Sequence, residues 1–226
     1  GLTQEKLVSR LAGIGMEATQ TRLQQFPGEE GLLATLTRGK LPGAGDWPHQ
    51  YGNVANTMTS DDHRLKGGLG ILWYGDPGPS QMVNRHEGAS AHLSTNGRMF
   101  IQGIDSVMCY DAYNGMFLWE AKNPGALRTG VFNNEETSNL AASDDAVFVA
   151  VNDTCTMYEA ATGKILNEFK APQSDDSVPR IWGYIAQSDG LLIGTSTVRK
   201  ELAASLRRRG HTVDNETDSL FAYDVE

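Results

Sequence analysis

Two groups of residues in this sequence have side chains that catalysis or ligand binding would require. The first lies in the stretch NRHEGASAH, where Asn84, Arg85 and His86 are consecutive. Histidine can act as a general base near neutral pH, and arginine can hold an anion. Arg128, in GALRTG, stands in a comparable context. These four are the candidate ligand-binding residues. The favoured alternative is a turn whose charges are solvated or paired with neighbouring elements.

The second group lies in CYDAYNGMFLW, residues 109–119. Asp111 and Asn114 are suited to accept hydrogen bonds from turn amides, and Gly115 can adopt a positive φ before a following strand. Trp119 offers a large flat surface for packing. Each of these residue types has a structural use, so this stretch predicts a tight turn between two strands rather than a reactive centre.

The same stretch recurs at an interval of about 48 residues. The matched pairs are Phe100 and Phe148, Tyr110 and Tyr158, Asp111 and Glu159, and Gly115 and Gly163. A third copy supplies Tyr223 and Asp224. Trp73 precedes Trp119 by 46 residues and indicates the closing strand of an earlier unit. Short strands repeated at this interval are typical of propeller blades. In the first complete blade we expect strands near 87–94, 98–103, 106–110 and 116–120.

The repeated pattern resembles AxDxxTGKxxW, the motif of the quinoprotein-like (PQQ-like) β-propeller repeat. Asp111, Gly115 and Trp119 match it, with Cys109 in the Ala position. In the later copies Glu159, Gly163 and Asp224 match, while Asn167 stands where Trp is expected. The resemblance covers residues 46–226. It implies an all-β fold, a partial propeller of about three to four PQQ-like blades.

Three further features lie around the blades. The stretch GDWPHQYGNVANT is similar to the segment that precedes the first blade in such proteins, with Trp47 and Asn56 as packing and turn residues. A helical insertion is expected at about 197–217, and Arg207, Arg208 and Arg209 near its end would favour the helix dipole or dock a partner. Closed propellers have about four to eight blades. We therefore expect the chain to be part of a longer protein.

Residues 1–45 predict a small α/β segment, the possible end of a preceding domain. A short amphipathic helix at 4–12 is followed by two strand-like runs, MEATQTRL and GLLATLTRG, around the turn FPGEE. This order resembles the tail of a class I SAM-dependent methyltransferase domain. The GIG at residues 13–15 follows a helix rather than a strand, so it predicts a helix end and not a phosphate loop.

Quinone-dependent enzymes of the resembled family carry a vicinal Cys pair over the cofactor and a calcium ion. Cys109 and Cys155 are far apart, and the sequence has no Cys-Cys pair. The histidines show no metal-binding spacing. No cofactor or metal site is evident in this segment, and PQQ with calcium would require the rest of the protein to supply the site. Whether the protein is an enzyme stays open.

Net charge and the lengths of the apolar runs limit the kinds of partner that this chain can bind. A formal charge of −9 disfavours nucleic acid, and no apolar run reaches the roughly 18 residues that a membrane-spanning helix needs. The predicted function is a binding or scaffold propeller module of a larger bacterial protein, taking a protein partner or a small ligand in its channel. The alternatives are part of a quinone-dependent oxidoreductase and a propeller fused to a SAM-dependent methyltransferase. The resemblance implies a periplasmic or otherwise exported protein.

Overall fold

The computed structural model describes most of the repeat region and part of the N-terminal segment. The described residues are 3, 5–6, 9–10, 18–25, 32–38, 40–75, 83, 90–125, 139–175, 178–198, 200–212, 217 and 219–225. The chain forms two compact units, residues 1–44 and 45–226.

The N-terminal unit contains an antiparallel hairpin. Its strands are β1 (Ala18–Gln25) and β2 (Leu32–Arg38), with an irregularity between Ala18 and Gln20. Residues 5–6 and 9–10 are helical, while residues 13–15 lie outside the described part of the chain. Many folds contain such a hairpin, so the methyltransferase resemblance stays a prediction.

The described residues of the larger unit form three antiparallel sheets in chain order, and neighbouring strands in each sheet are consecutive in sequence. The first sheet holds β3 (Leu93–Thr95), β4 (Arg98–Gly103), β5 (Ser106–Asp111) and β6 (Phe117–Lys122). The second holds β7 (Leu140–Ala142), β8 (Ala146–Val151), β9 (Thr154–Glu159) and β10 (Ile165–Lys170). The third holds β11 (Arg180–Ser188), β12 (Leu191–Val198) and β13 (Ser219–Asp224).

Consecutive sheets pack face to face through buried apolar side chains. Phe100 and Val107 of the first sheet share one core with Val147 and Tyr158 of the second. A second core joins the second and third sheets, and Phe148 contributes to it from the opposite face of β8. A sheet that buries both faces against its neighbours in a repeating stack is a propeller blade. The predicted fold class, an all-β partial propeller, is confirmed.

A segment at the start of this unit, residues 46–49, joins the first strands of all three sheets. Trp47 exchanges backbone hydrogen bonds with Ser94 on β3, at 2.7 and 2.9 Å. The carbonyl of Pro48 accepts from Ala142 on β7 at 2.9 Å, and the ring of His49 bonds to β11. We call these residues the lead-in segment. Downstream of it, Asn56 has a φ of 55° in a turn.

The insertion after β12 contains a short helix, α1 (Lys200–Arg208). It ends with the amide of His211 bonded to the carbonyl of Leu206 at 3.1 Å and that of Gly210 to Arg207 at 2.9 Å. Gly210 has a φ of 85°, the left-handed conformation that this type of helix end requires. The helix therefore stops one residue before Arg209.

Candidate functional site

The four candidate ligand-binding residues, Asn84, Arg85, His86 and Arg128, all lie outside the described part of the chain. Of the same polar stretch, His92 is described, and its side chain is exposed. A ligand site at these positions stays a prediction.

The turn built by CYDAYNGMFLW is described in full. Asp111 Oδ1 accepts hydrogen bonds from the amides of Tyr113 at 2.8 Å and Asn114 at 3.1 Å. The amide of Gly115 bonds to the carbonyl of Asp111 at 2.9 Å, and Gly115 has a φ of 73°. The carboxylate of Asp111 is thereby committed to holding the turn between β5 and β6.

The second copy of the turn has the same backbone scheme. The amide of Gly163 bonds to the carbonyl of Glu159 at 2.8 Å, and Gly163 has a φ of 72°. The hydroxyl of Thr162 donates to Glu159 Oε2. The longer Glu side chain therefore reaches a hydroxyl instead of the turn amides.

Each of these turns receives a tryptophan from the preceding unit. Trp119 covers Gly163, where an added Cβ would lie 2.5 Å from Trp119 Cε3. The indole N–H of Trp119 donates to the carbonyl of Ala160 at 2.9 Å. Trp73 covers Gly115 in the same way and donates to the carbonyl of Ala112 at 2.9 Å. Glycine is required at both turns because any side chain would occupy the space of the ring.

The third sheet docks differently, because Asn167 replaces the tryptophan at the second sheet's edge and is exposed. An aromatic cluster fills this junction. The ring centroids of Phe169 and Tyr223 are 5.2 Å apart, and those of Trp182 and Phe221 are 4.8 Å apart. Tyr223 Oη donates to the carbonyl of Lys170 at 2.6 Å. Tyr223 belongs to the repeat pattern, but Trp182 has no counterpart in the earlier repeats, so the pattern does not predict the whole cluster.

Both cysteines are buried in the cores between sheets. Cys109 lies on β5 and Cys155 on β9, and both are free thiols. Burial raises the pKa of the Cys109 thiol to about 12 and also raises the pKa of Cys155. Two inert thiols on different sheets do not provide the vicinal pair of the resembled quinone enzymes. Among the described residues, no three His, Cys, Asp or Glu side chains are arranged to hold a metal ion.

His49 is a buried polar residue that the sequence did not single out. Its Nε2 accepts a hydrogen bond from the amide of Gln187 at 3.0 Å, and its side chain is 5% exposed. Because Nε2 is the acceptor, the proton of the neutral ring is on Nδ1, which has no hydrogen-bond partner in the part of the chain that the structure describes. Burial lowers the pKa of His49 below 6.5.

The loop after the lead-in segment carries the acidic pair Asp61 and Asp62. Asp62 accepts hydrogen bonds from the amides of Gly45 at 2.9 Å and Leu65 at 2.6 Å. These bonds, first that of Gly45, lower the pKa of the Asp62 carboxyl. The Asp62 carboxylate therefore holds the two ends of this loop together, which is a structural role.

The outer strands of the first two sheets expose apolar side chains at equivalent positions. Phe117 and Leu118 begin β6 and are 52% and 37% exposed. Ile165 and Leu166 begin β10, 48 residues later, and are 60% and 52% exposed. In both strands the second residue of the pair lies at a register shift in the ladder. The recurrence is visible in the sequence, but the exposure is not.

The described part of the chain contains no helix with the length and apolar character to cross a bilayer. No known protein family matches the sequence, and no characterised protein sequence matches it.

Several solved structures resemble the chain. One is a europium-containing methanol dehydrogenase, with 16% identity and a TM-score of 0.49, over 68% of this chain and 28% of that protein. Another is BamB from Moraxella catarrhalis, with 13% identity and a TM-score of 0.36, over 48% of this chain and 35% of BamB. A third is a quinohemoprotein alcohol dehydrogenase from Comamonas testosteroni, with 19% identity and a TM-score of 0.45, over 68% of this chain and 24% of that enzyme. The chain spans between 24% and 35% of their lengths.

Proposed function

We propose that this chain is a binding module, part of a propeller that holds a protein partner on the outer strands of its blades. The observation that carries the proposal is the repeated pair of exposed apolar residues, Phe117 with Leu118 on β6 and Ile165 with Leu166 on β10. We place the module in a larger bacterial protein that is exported to the periplasm.

An exposed outer strand normally carries charged or polar residues, because its unpaired edge would otherwise attract other chains. Large apolar side chains that recur at one level on neighbouring blades favour a binding surface instead. Met116, 58% exposed, extends the apolar surface of the first pair. A partner with spaced apolar side chains and an extended backbone would suit this surface, since each strand edge can also accept a backbone ladder.

The residues of the repeat motif support the same proposal because each of them has a structural role. Asp111 holds turn amides, Gly115 and Gly163 make room for tryptophans, and both cysteines are buried. These residues build and join the blades, so they are not free to bind a partner. We therefore assign partner binding to the exposed surface of the described blades.

The outer-strand surface can be tested with the double variant Phe117→Ser, Ile165→Ser. A partner recovered by site-specific photocrosslinking from position 118 would be purified, and its affinity measured by calorimetry for wild type and variant. We expect the double variant to bind at least about tenfold more weakly, a loss of about 1.4 kcal/mol. The control is Lys122→Ser, an exposed change on the same strand β6.

Equal affinity of wild type and double variant would show that the outer strands do not bind the partner. A second result would replace the proposal altogether. If the protein bound quinone in calorimetry and oxidised alcohols with an artificial electron acceptor once quinone and calcium were added, the oxidoreductase alternative would stand. Asn84, Arg85, His86 and Arg128 would then be the residues to substitute.

A further inference from the structure

The lead-in segment contacts the third sheet in a different way from the first two. Trp47 and Ser94 exchange backbone hydrogen bonds, and the carbonyl of Pro48 accepts from the amide of Ala142. On the third sheet the acceptor is a side chain, because the amide of Gln187 on β11 donates to Nε2 of His49 at 3.0 Å. Backbone groups do not titrate near neutral pH, whereas an imidazole does. The contact with β11 is therefore one that a proton can remove.

The hydrogen bond from Gln187 requires a neutral His49 ring. Nε2 accepts only when it carries no hydrogen, so the single ring proton is on Nδ1. Protonation adds a hydrogen to Nε2, directed at the N–H of Gln187, and the bond becomes a contact between two donors. The ring is also 5% exposed, and a buried charge is costly unless an opposite charge compensates it. The protonated ring is therefore unstable in its closed position.

The elements that pack against His49 offer no such compensation. Among the described residues, β3 and β7 carry no titratable group. The lead-in segment carries Asp46, whose carboxylate accepts from the amide of Asn96 at 3.2 Å. β11 carries Tyr184 and Arg180, and the residue after β11 is Asp189. Burial and the amide of Gln187 are the influences on the His49 ring, so no carboxylate in the described part of the chain stabilises its charged form.

The third sheet is held together independently of His49. Within the ladder of β11 and β12, Gln187 lies opposite Leu192 and Ala186 lies opposite Ile193. Ile185 and Leu192 also belong to the apolar core that the second and third sheets share. The loss of one hydrogen bond to His49 leaves these contacts intact. The lead-in segment can therefore leave β11 without unfolding the blade.

We propose that His49 is an acid-sensitive latch, whose protonation releases the lead-in segment from β11 while Trp47 stays paired with Ser94. Burial lowers the pKa of His49 below 6.5, so the latch is closed at neutral pH and opens as the pH falls through the folded pKa. Opening frees the amide of Gln187 on the first strand of the third sheet. The device lies on the first strands of the sheets, apart from the outer strands to which we assign partner binding.

Amide hydrogen exchange followed by NMR measures the two ends of the segment separately. The amide of Gln187 reports the bond to His49, and the amide of Ser94 reports its bond of 2.9 Å to the carbonyl of Trp47. Each rate is divided by the intrinsic exchange rate at the same pH to give a protection factor. We expect the protection of Gln187 relative to Ser94 to fall at least about tenfold between about pH 8 and about pH 4.

Two histidine variants assign this change to one ring. His49→Gln keeps an acceptor for the amide of Gln187 but does not titrate, so the ratio of the two protection factors should stay constant with pH. His63→Gln is the matched control, because His63 is exposed and lies outside the lead-in segment. It should behave as wild type. Circular dichroism verifies that both variants fold.

The ring nitrogen chemical shifts of wild-type His49 provide a measurement that needs no variant. They should show the proton on Nδ1 at neutral pH, and a charged ring at the pH where Gln187 loses protection. A proton on Nε2 at neutral pH, a protection ratio that does not change with pH, or the same fall in His49→Gln would each overturn the proposal. Equal losses of protection at Gln187 and Ser94 would overturn it too, because the blades and not the latch would then be opening.

Discussion

The two junctions between the three sheets solve one packing problem with different residues. Between the first and second sheets, a single tryptophan, Trp119, covers Gly163 and bonds to the carbonyl of Ala160. Between the second and third sheets, Asn167 stands in the tryptophan position and is exposed. The aromatic cluster packs this junction instead. In that cluster the hydroxyl of Tyr223 bonds to the carbonyl of Lys170.

Both junctions need a flat apolar surface with a donor for a backbone carbonyl of the neighbouring sheet. The motif meets this need with one side chain placed by a fixed interval. The cluster meets it with Phe169, Trp182, Phe221 and Tyr223, which come from three strands. A blade can therefore lose the motif tryptophan and still dock, provided that its neighbours supply aromatic rings.

The largest effect should follow removal of Trp119, the single aromatic ring that covers the turn at the first junction. Trp119→Ala leaves a cavity and removes the indole hydrogen bond to the carbonyl of Ala160. We expect it to lower the free energy of unfolding by about 3–5 kcal/mol. Phe169→Ala removes one ring of four and should cost less. Urea denaturation of both variants measures the difference. Equal losses would mean that the cluster is no more redundant than the single tryptophan.

Two glycines that pack against indole rings, Gly163 and Gly194, can separate the cost of steric overlap from the cost of a positive φ. Gly163→Ala and Gly194→Ala both place a Cβ against an indole ring, of Trp119 and Trp182 respectively, and should each cost about 1–3 kcal/mol. Gly163 also has a φ of 72°, which adds about 1 kcal/mol for alanine. Gly70→Ala, with open space around it, is the control. A Gly194 variant less stable than the Gly163 variant would contradict this order.

The turn carboxylates should have smaller effects. Asp111→Ala releases two turn amides and should lower stability by about 1–2 kcal/mol. Glu159→Ala loses only the hydroxyl of Thr162 and should cost about half as much. Thermal unfolding of the two variants measures both. An Asp111→Leu variant that folds with an unchanged melting temperature would show that the repeated acidic position is not structural.

The smallest expected effect is a pH dependence at the lead-in segment. Because burial holds the pKa of His49 in the folded protein below its unfolded value of 6.5, the contribution of His49 to stability is present above pH 6.5 and is lost as the pH falls through the folded pKa. His49→Gln, which can still accept from Gln187, should flatten this slope. His63→Gln alters an exposed histidine and should leave the slope unchanged. A slope that survives His49→Gln would assign it to other groups.

The sequence predicts the interior of the blades better than their junctions. The strands expected at 98–103 and 106–110 are β4 (Arg98–Gly103) and β5 (Ser106–Asp111), because apolar runs and turn residues are local signals. The aromatic cluster was missed, because Trp182 follows no interval. His49 was missed because its partner Gln187 is 138 residues away, and no local pattern encodes such a contact.

The lead-in segment has a consequence for the order in which the chain folds. Repeat proteins commonly build up one unit at a time from neighbouring contacts. Here Trp47, Pro48 and His49 are held by Ser94, Ala142 and Gln187, on three successive sheets. During synthesis from the N-terminus, the segment stays incompletely bound until β11 has left the ribosome. The lead-in segment therefore links all three sheets, and its contact with Gln187 spans 138 residues. Since contacts between distant residues slow folding, we expect this segment to make folding slower and more cooperative than stepwise addition of blades would be.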